Sequence, residues 1–237
     1  MMIDERVPVG DLAAAVPGSV RVFERYGVDF CCGGRKTLAN ACEDAGLSVA
    51  DVAREIEDVA AEQGPETRDW QAEPLGRILD HIVSAYHNPL RAELPQLQLL
   101  MTKVAVVHGA KRPALLRAQE IVDELAADLI AHMRKEETVL FPAIRRAESG
   151  QPAGLPLPAP IAMMEAEHDR AGMLLLKLRT LTDGYVPPIW ACASLRALYA
   201  QLEQFESTMH VHVHLENNVV FPRAVSLPAL VHPLGRY

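Results

Sequence analysis

His132-Met-Arg-Lys-Glu-Glu-Thr-Val-Leu-Phe-Pro142 returns eighty residues further on as His212-Val-His-Leu-Glu-Asn-Asn-Val-Val-Phe-Pro222. The likeness extends upstream as a pattern. Ala118, Val122, Leu125, Leu129, His132, Glu136 and Val139 follow one another at steps of four and three, and the residues eighty further on are Leu198, Leu202, Phe205, Met209, His212, Glu216 and Val219. Such steps lay a stripe along one face of an α-helix. In each stripe the only polar members are a histidine and, one turn later, a glutamate. An ionised carboxylate on an inward apolar face costs several kcal/mol unless a cation neutralises it. A His and a Glu at i and i+4 project together, so two such helices aimed at one axis spell a binuclear metal site in a helix bundle.

The other histidines sort by the same phase. His168 lies on the stripe Ile161, Met164, His168, Ala171, Leu175, Leu178, and His87 on Val83, His87, Leu90, Leu94, Leu97. Each half therefore reads as a helix with one inward His, followed by a helix with His-x3-Glu. His108 has no counterpart, because Pro188 stands eighty residues on. On one straight helix His87 and His108 would be about 31 Å apart at 1.5 Å per residue. His108 can be a ligand only if the chain reverses between them, most cheaply at Asn88-Pro89 or Leu94-Pro95. Two six-coordinate ions sharing two carboxylates and an oxo or hydroxo bridge, with five histidines, keep one position open for a diatomic such as O2 or NO. Ligation by imidazole and carboxylate suits iron, with zinc, copper and manganese also compatible. Asp128, four residues before His132, is a candidate hydrogen-bond acceptor behind that ligand.

Working outward, the apolar residues recur at threes and fours along nearly the whole chain, and only 5% of residues are aromatic. The class is all-α. Gly/Pro-rich breaks at Gly109–Pro113, Gly150–Pro160 and Gly184–Pro188 separate long helical stripes, which fit an up-and-down four-helix bundle over 74–225. Ahead of it, 1–63 reads as a small helical domain. It has a helix from about Pro17 to Tyr26, another after Ser48-Val-Ala-Asp51, and the segment Phe30-Cys-Cys-Gly-Gly34 between them. Polar residues 64–73 read as a linker, and 226–237 as a tail that carries His232.

Composition narrows the function. A 49% apolar and 23% charged chain folds, and no run of about 18 apolar residues offers a membrane span. A formal charge of −8 repels nucleic acid. The N-terminus lacks the basic and apolar regions of a secretory signal, so a cytoplasmic setting is expected. Cys31 and Cys32 are adjacent, and Cys42 and Cys192 stand apart, which supplies neither a disulfide framework nor a CxxC zinc pair. The adjacent pair reads either as small buried hydrophobes or as redox-active or cluster-contacting thiols. Gly33 and Gly34 read as a tight turn with positive φ. His210 and His214, turned about 200° from His212, read as surface residues.

The phased duplicate ending in Phe-Pro resembles hemerythrin-like di-iron domains. Together with Asp29-Phe-Cys-Cys-Gly-Gly34 it resembles, from about Val9 to Ala224, the di-iron proteins for repair of iron centres, the iron–sulfur cluster repair proteins. That resemblance implies two iron ions with an oxo or hydroxo bridge. It implies as ligands His87, His108, His132, Glu136, His168, His212 and Glu216, the two glutamates bridging. It also implies restoration of iron–sulfur clusters damaged by nitric oxide or oxidants, with damaged or apo iron–sulfur proteins as partners. An O2 or NO carrier or sensor, and NO or peroxide turnover, stand as alternatives, and a homodimer stays open.

Overall fold

The computed structural model describes residues 2–62 and 69–228. Half of the expected linker, 64–68, and most of the tail, including His232, lie outside the described residues. Among the described residues the regular structure is helical, with one isolated antiparallel bridge between Pro8 and Thr37. No helix among them is long and apolar enough to cross a membrane. They form two compact units. One comprises the residues up to Asp80, Ile144–Pro158 and the residues from His210; the other comprises His81–Ala143 and Ala159–Met209.

The first unit begins with four short helices, α1 (Val9–Ala15), α2 (Ser19–Tyr26), α3 (Leu38–Ala45) and α4 (Val49–Glu62). Their ends are written in the chain. The Thr37 hydroxyl accepts the Asn40 N–H at 3.2 Å and starts α3, and Gly46 at φ +67° stops it. The Ser48 hydroxyl accepts the Asp51 N–H at 3.4 Å, in the capping arrangement read from Ser48-Val-Ala-Asp51. Val9, Leu12, Val22, Phe23, Phe30, Leu38, Val52 and Ile56 form the core of these helices. Helices α1 and α3 were not anticipated, because each is too short to show a periodic stripe.

The second unit holds the long helices: α6 (Asn88–His108) with the turn before it, α7 (Ala114–Lys135), nearly all of α9 (Pro158–Leu181) and the greater part of α10 (Ala193–His214), while α5 (Leu75–Ile82) and α8 (Phe141–Glu148) fall mostly in the first unit. Helices α6 and α7 run antiparallel: Gln98 donates to Asp123 at 2.9 Å and Gln119 to Thr102 at 3.1 Å. Arg170 on α9 reaches Glu124 on α7 at 2.6 Å, and Arg179 on α9 donates to Glu206 on α10 at 2.9 Å. Leu94, Met101, Val122, Leu129, Leu175 and Leu202 are buried in this unit's interior.

Three wide turns interrupt the α-helical order, at Val83–His87, Glu136–Leu140 and Leu215–Val220. In each, an N–H donates to the carbonyl five residues back: Asn88 to Val83, Phe141 to Glu136, and Phe221 to Glu216. Each is followed by a proline two residues beyond its end, Pro89, Pro142 and Pro222. Proline has no N–H to give and its ring crowds the preceding turn, so widening that turn relieves the conflict. The extra residue shifts the phase. Val139, expected to face inward, is 47% exposed, and Leu140 is buried in its place. No reversal occurs at Asn88-Pro89 or Leu94-Pro95, since α6 continues through both.

Candidate metal centre

Each wide turn carries or adjoins a candidate ligand. His87 ends the first, Glu136 begins the second, and Glu216 lies in the third, one turn after His212 on α10. Such turns recur at functional sites because they re-aim a side chain without ending the helix.

Within the second unit the structure brings together His87, His132, Glu136 and His168, none more than 3% exposed. One carboxylate oxygen of Glu136 lies 3.3 Å from Nε2 of His132 and 3.5 Å from Nε2 of His87. The Nε2 atoms of His132 and His168 are 3.0 Å apart. Two imidazole nitrogens bound at right angles to one ion, each about 2.1 Å from it, would stand about 3.0 Å from each other. Both oxygens of Glu136 are buried and accept no hydrogen bond. A buried carboxylate with no hydrogen-bond donor, among imidazole nitrogens, fits a cation.

The imidazoles are held from behind. Nδ1–H of His87 donates to Glu137 at 2.7 Å, and Nδ1–H of His132 donates to Glu167 at 2.8 Å. An acceptor at Nδ1 fixes the tautomer that presents a bare Nε2 to a metal. Arg91 donates to Glu137 at 2.6 Å, and Lys135 pairs with Glu167. Burial pushes both carboxyl groups up, but Arg91 and His87 at Glu137, and Lys135 and His132 at Glu167, outweigh it and hold both below the usual carboxylate value. A cavity of about 110 Å³ between α7 and α9, lined by Leu129, Lys135 and Glu167, reaches His132 and His168.

In the first unit, Nε2 of His212 lies 3.2 Å from Glu216, and both side chains are buried. The two residues after Glu216 bind the cysteine segment. Asn218 donates to the Phe30 carbonyl at 3.2 Å and to the Cys31 carbonyl at 3.0 Å, and Asn217 to the Cys31 carbonyl at 3.5 Å. A Cβ on Gly34 would lie 2.2 Å from Oδ1 of Asn218, and one on Gly10 2.5 Å from the same atom. Close approach is therefore what Gly34 supplies. Neither Gly33 nor Gly34 has the positive φ expected of them. The Asp29 carboxylate accepts the Cys31 and Cys32 N–H groups at 3.1 and 3.0 Å and the Cys31 thiol at 3.3 Å. Cys31 and Cys32 are unbridged, Cys31 buried and Cys32 partly exposed. A hydrogen bond with the Cys32 side chain, and burial, push the Cys31 thiol up.

Three expectations need correction. His108 ends α6, an unbroken helix that begins just after His87, so about 31 Å separates them. Its Nε2 lies 3.2 Å from the Cys192 sulfur, and it is not a ligand. Asp128 does not stand behind His132; 45% exposed, it pairs with Arg170 at 3.3 Å, while Glu167 takes the role assigned to it. His214 is no surface residue: it is buried against Phe30, with ring centroids 5.6 Å apart. Glu137 and Glu167 escaped the sequence reading because each sits next to a ligand and off the apolar stripe, where a carboxylate reads as a solvated surface group. Position beside a ligand was their only signal.

Comparison with known proteins agrees with this chemistry. Residues 78–224 match the hemerythrin HHE cation binding domain, and residues 5–60 match a domain of unknown function, ScdA_N. The iron-sulfur cluster repair protein YtfE of Cronobacter sakazakii is 39% identical over 219 residues, 92% of this chain and 96% of that protein. The proteins of the same name from Escherichia coli O17:K52:H18 and from Shigella boydii serotype 4 are 38% identical over the same shares. The chain is thus an all-α protein with a hemerythrin-type helical bundle, and it belongs to the family of the YtfE iron-sulfur cluster repair proteins.

Proposed function

We propose that the protein holds two iron ions with His87, His132, Glu136, His168, His212 and Glu216 as ligands, the pairing read from the eighty-residue repeat, and that it returns iron to damaged iron–sulfur clusters. The observation that carries this reading is Glu136, a buried carboxylate without a hydrogen-bond donor and within 3.5 Å of two imidazoles. The repeat supports the pairing of Glu136 with Glu216, since each stands one turn after its histidine on equivalent stripes. With four histidines instead of five, and an oxo or hydroxo bridge, two coordination positions stay open.

Iron held there would offer open positions to a small ligand such as O2 or NO, and iron itself would be the cargo of repair. The chain's own residues do the rest. Glu137 and Glu167 fix the tautomers of His87 and His132, and the cavity between α7 and α9 admits a diatomic. Recipients are damaged or apo iron–sulfur proteins, met in the cytoplasm, and Cys32 is the thiol of the pair able to touch them. The expected division of labour is a cysteine-bearing domain over 1–63 and an iron-holding one over 74–225, joined by 64–73.

Iron-loaded protein is expected to restore an apo iron–sulfur protein beyond the level reached by the same amount of free iron. Glu136→Gln together with Glu216→Gln should abolish that excess. Recovery no better than the free-iron control overturns the repair reading.

A further inference from the structure

The histidine excluded from the centre has another partner. Nε2 of His108, at the end of α6, lies 3.2 Å from Sγ of Cys192. Cys192 is exposed, and its carbonyl accepts the Arg196 N–H at 3.1 Å, which makes it the residue that caps α10, a helix of 22 residues. The segment before it is fixed: Nε of Arg196 donates to the Ala191 carbonyl at 3.2 Å, and Lys111 places Nζ 4.0 Å over the Trp190 ring. The His108 and Trp190 ring centroids are 5.6 Å apart, so the imidazole also rests against the indole. A thiol in contact with an imidazole at a helix start is the constellation of an activated nucleophile.

We propose that His108 and Cys192 form a thiol–imidazole pair that captures low-molecular-weight disulfides, making Cys192 a site of reversible S-thiolation. Nε2 of His108 accepts the thiol proton, and the sulfur attacks one sulfur of the incoming disulfide. A new S–S bond forms on Cys192 as the old one breaks. The leaving thiolate takes the proton from the imidazolium, so one disulfide and one thiol become one mixed disulfide and one thiol. Two of the other cysteines compete poorly: Cys31 and Cys42 are buried, and a hydrogen bond with Cys32 together with burial at Cys31, and burial at Cys42, push their thiols up, which leaves the partly exposed Cys32 as the competitor.

The test incubates the full chain with cystine, follows the release of free cysteine, and maps the modified peptide. One cysteinyl group should arrive first on Cys192, come off with a thiol reductant, and be absent in Cys192→Ser. His108→Ala and His108→Gln should each slow the reaction about tenfold or more. Added imidazole should recover part of the rate in His108→Ala and none in the wild type. Labelling of Cys32 before Cys192, or a rate indifferent to both His108 variants, overturns the proposal.

Discussion

Glu136 is the residue on which the chemistry turns. Removing a carboxylate from water without a hydrogen bond costs several kcal/mol, and only a cation or proton offsets that cost. Glu136→Leu should therefore raise the unfolding free energy of the iron-free protein by about 1–4 kcal/mol, read as a higher urea midpoint, while abolishing iron uptake. A loss of stability in the iron-free variant would contradict the account. The carboxylates behind the imidazoles give a second prediction. Glu167→Gln should weaken iron about 10–100-fold in competition with a chelator, while Asp128→Asn should leave affinity unchanged. The proposed ligands stand out in the sequence, because a His and a Glu on an apolar stripe contradict the pattern around them. Glu137 and Glu167 were not, because a charge off the stripe looks ordinary until a neighbouring helix brings an imidazole to it.

At the scale of elements, the three wide turns explain why helical periodicity locates the site yet misplaces some of its neighbours. Up to His132 a regular α-helix keeps the stripe in register. Beyond Glu136 the added residue rotates the face, so Val139 turns outward and Leu140 inward. The proline two residues past each turn was visible; its effect on the turn before it was not, since proline can end, kink or widen a helix. The continuity of α6 past Pro89 and Pro95 decided the fate of His108 in the same way. In the first unit, the grip of Asn218 on the cysteine segment depends on bare backbone at Gly34. Gly34→Ala should cost about 1–3 kcal/mol by thermal or urea unfolding, as overpacking does. With Asn218→Ala already present the same change should cost much less, and equal costs in the two backgrounds would refute the contact.

For the whole molecule, pH enters through His214. Burial pushes its imidazole down to about 4 from an ordinary 6.5. The native state then stays neutral at His214 where the unfolded chain takes up a proton. Its contribution is therefore complete above pH 6.5 and is lost as pH falls toward 4, a change of the order of 3 kcal/mol. His214→Gln should flatten the fall in the urea midpoint over that window; an unchanged slope would contradict the assignment. The all-α class and the long helices that carry the proposed ligands were open to reading from one chain, because both rest on periodicity that extends over many turns. The short helices α1 and α3 and the Asn218 contact were not, since they depend on pairings between distant parts of the sequence. The most direct test of the central claim is the iron content of purified, iron-loaded protein beside Glu136→Gln/Glu216→Gln. Two irons per chain in the wild type and a loss of both in the double variant is the expected result. One iron or none in the wild type, or an undiminished content in the variant, would contradict a glutamate-bridged pair.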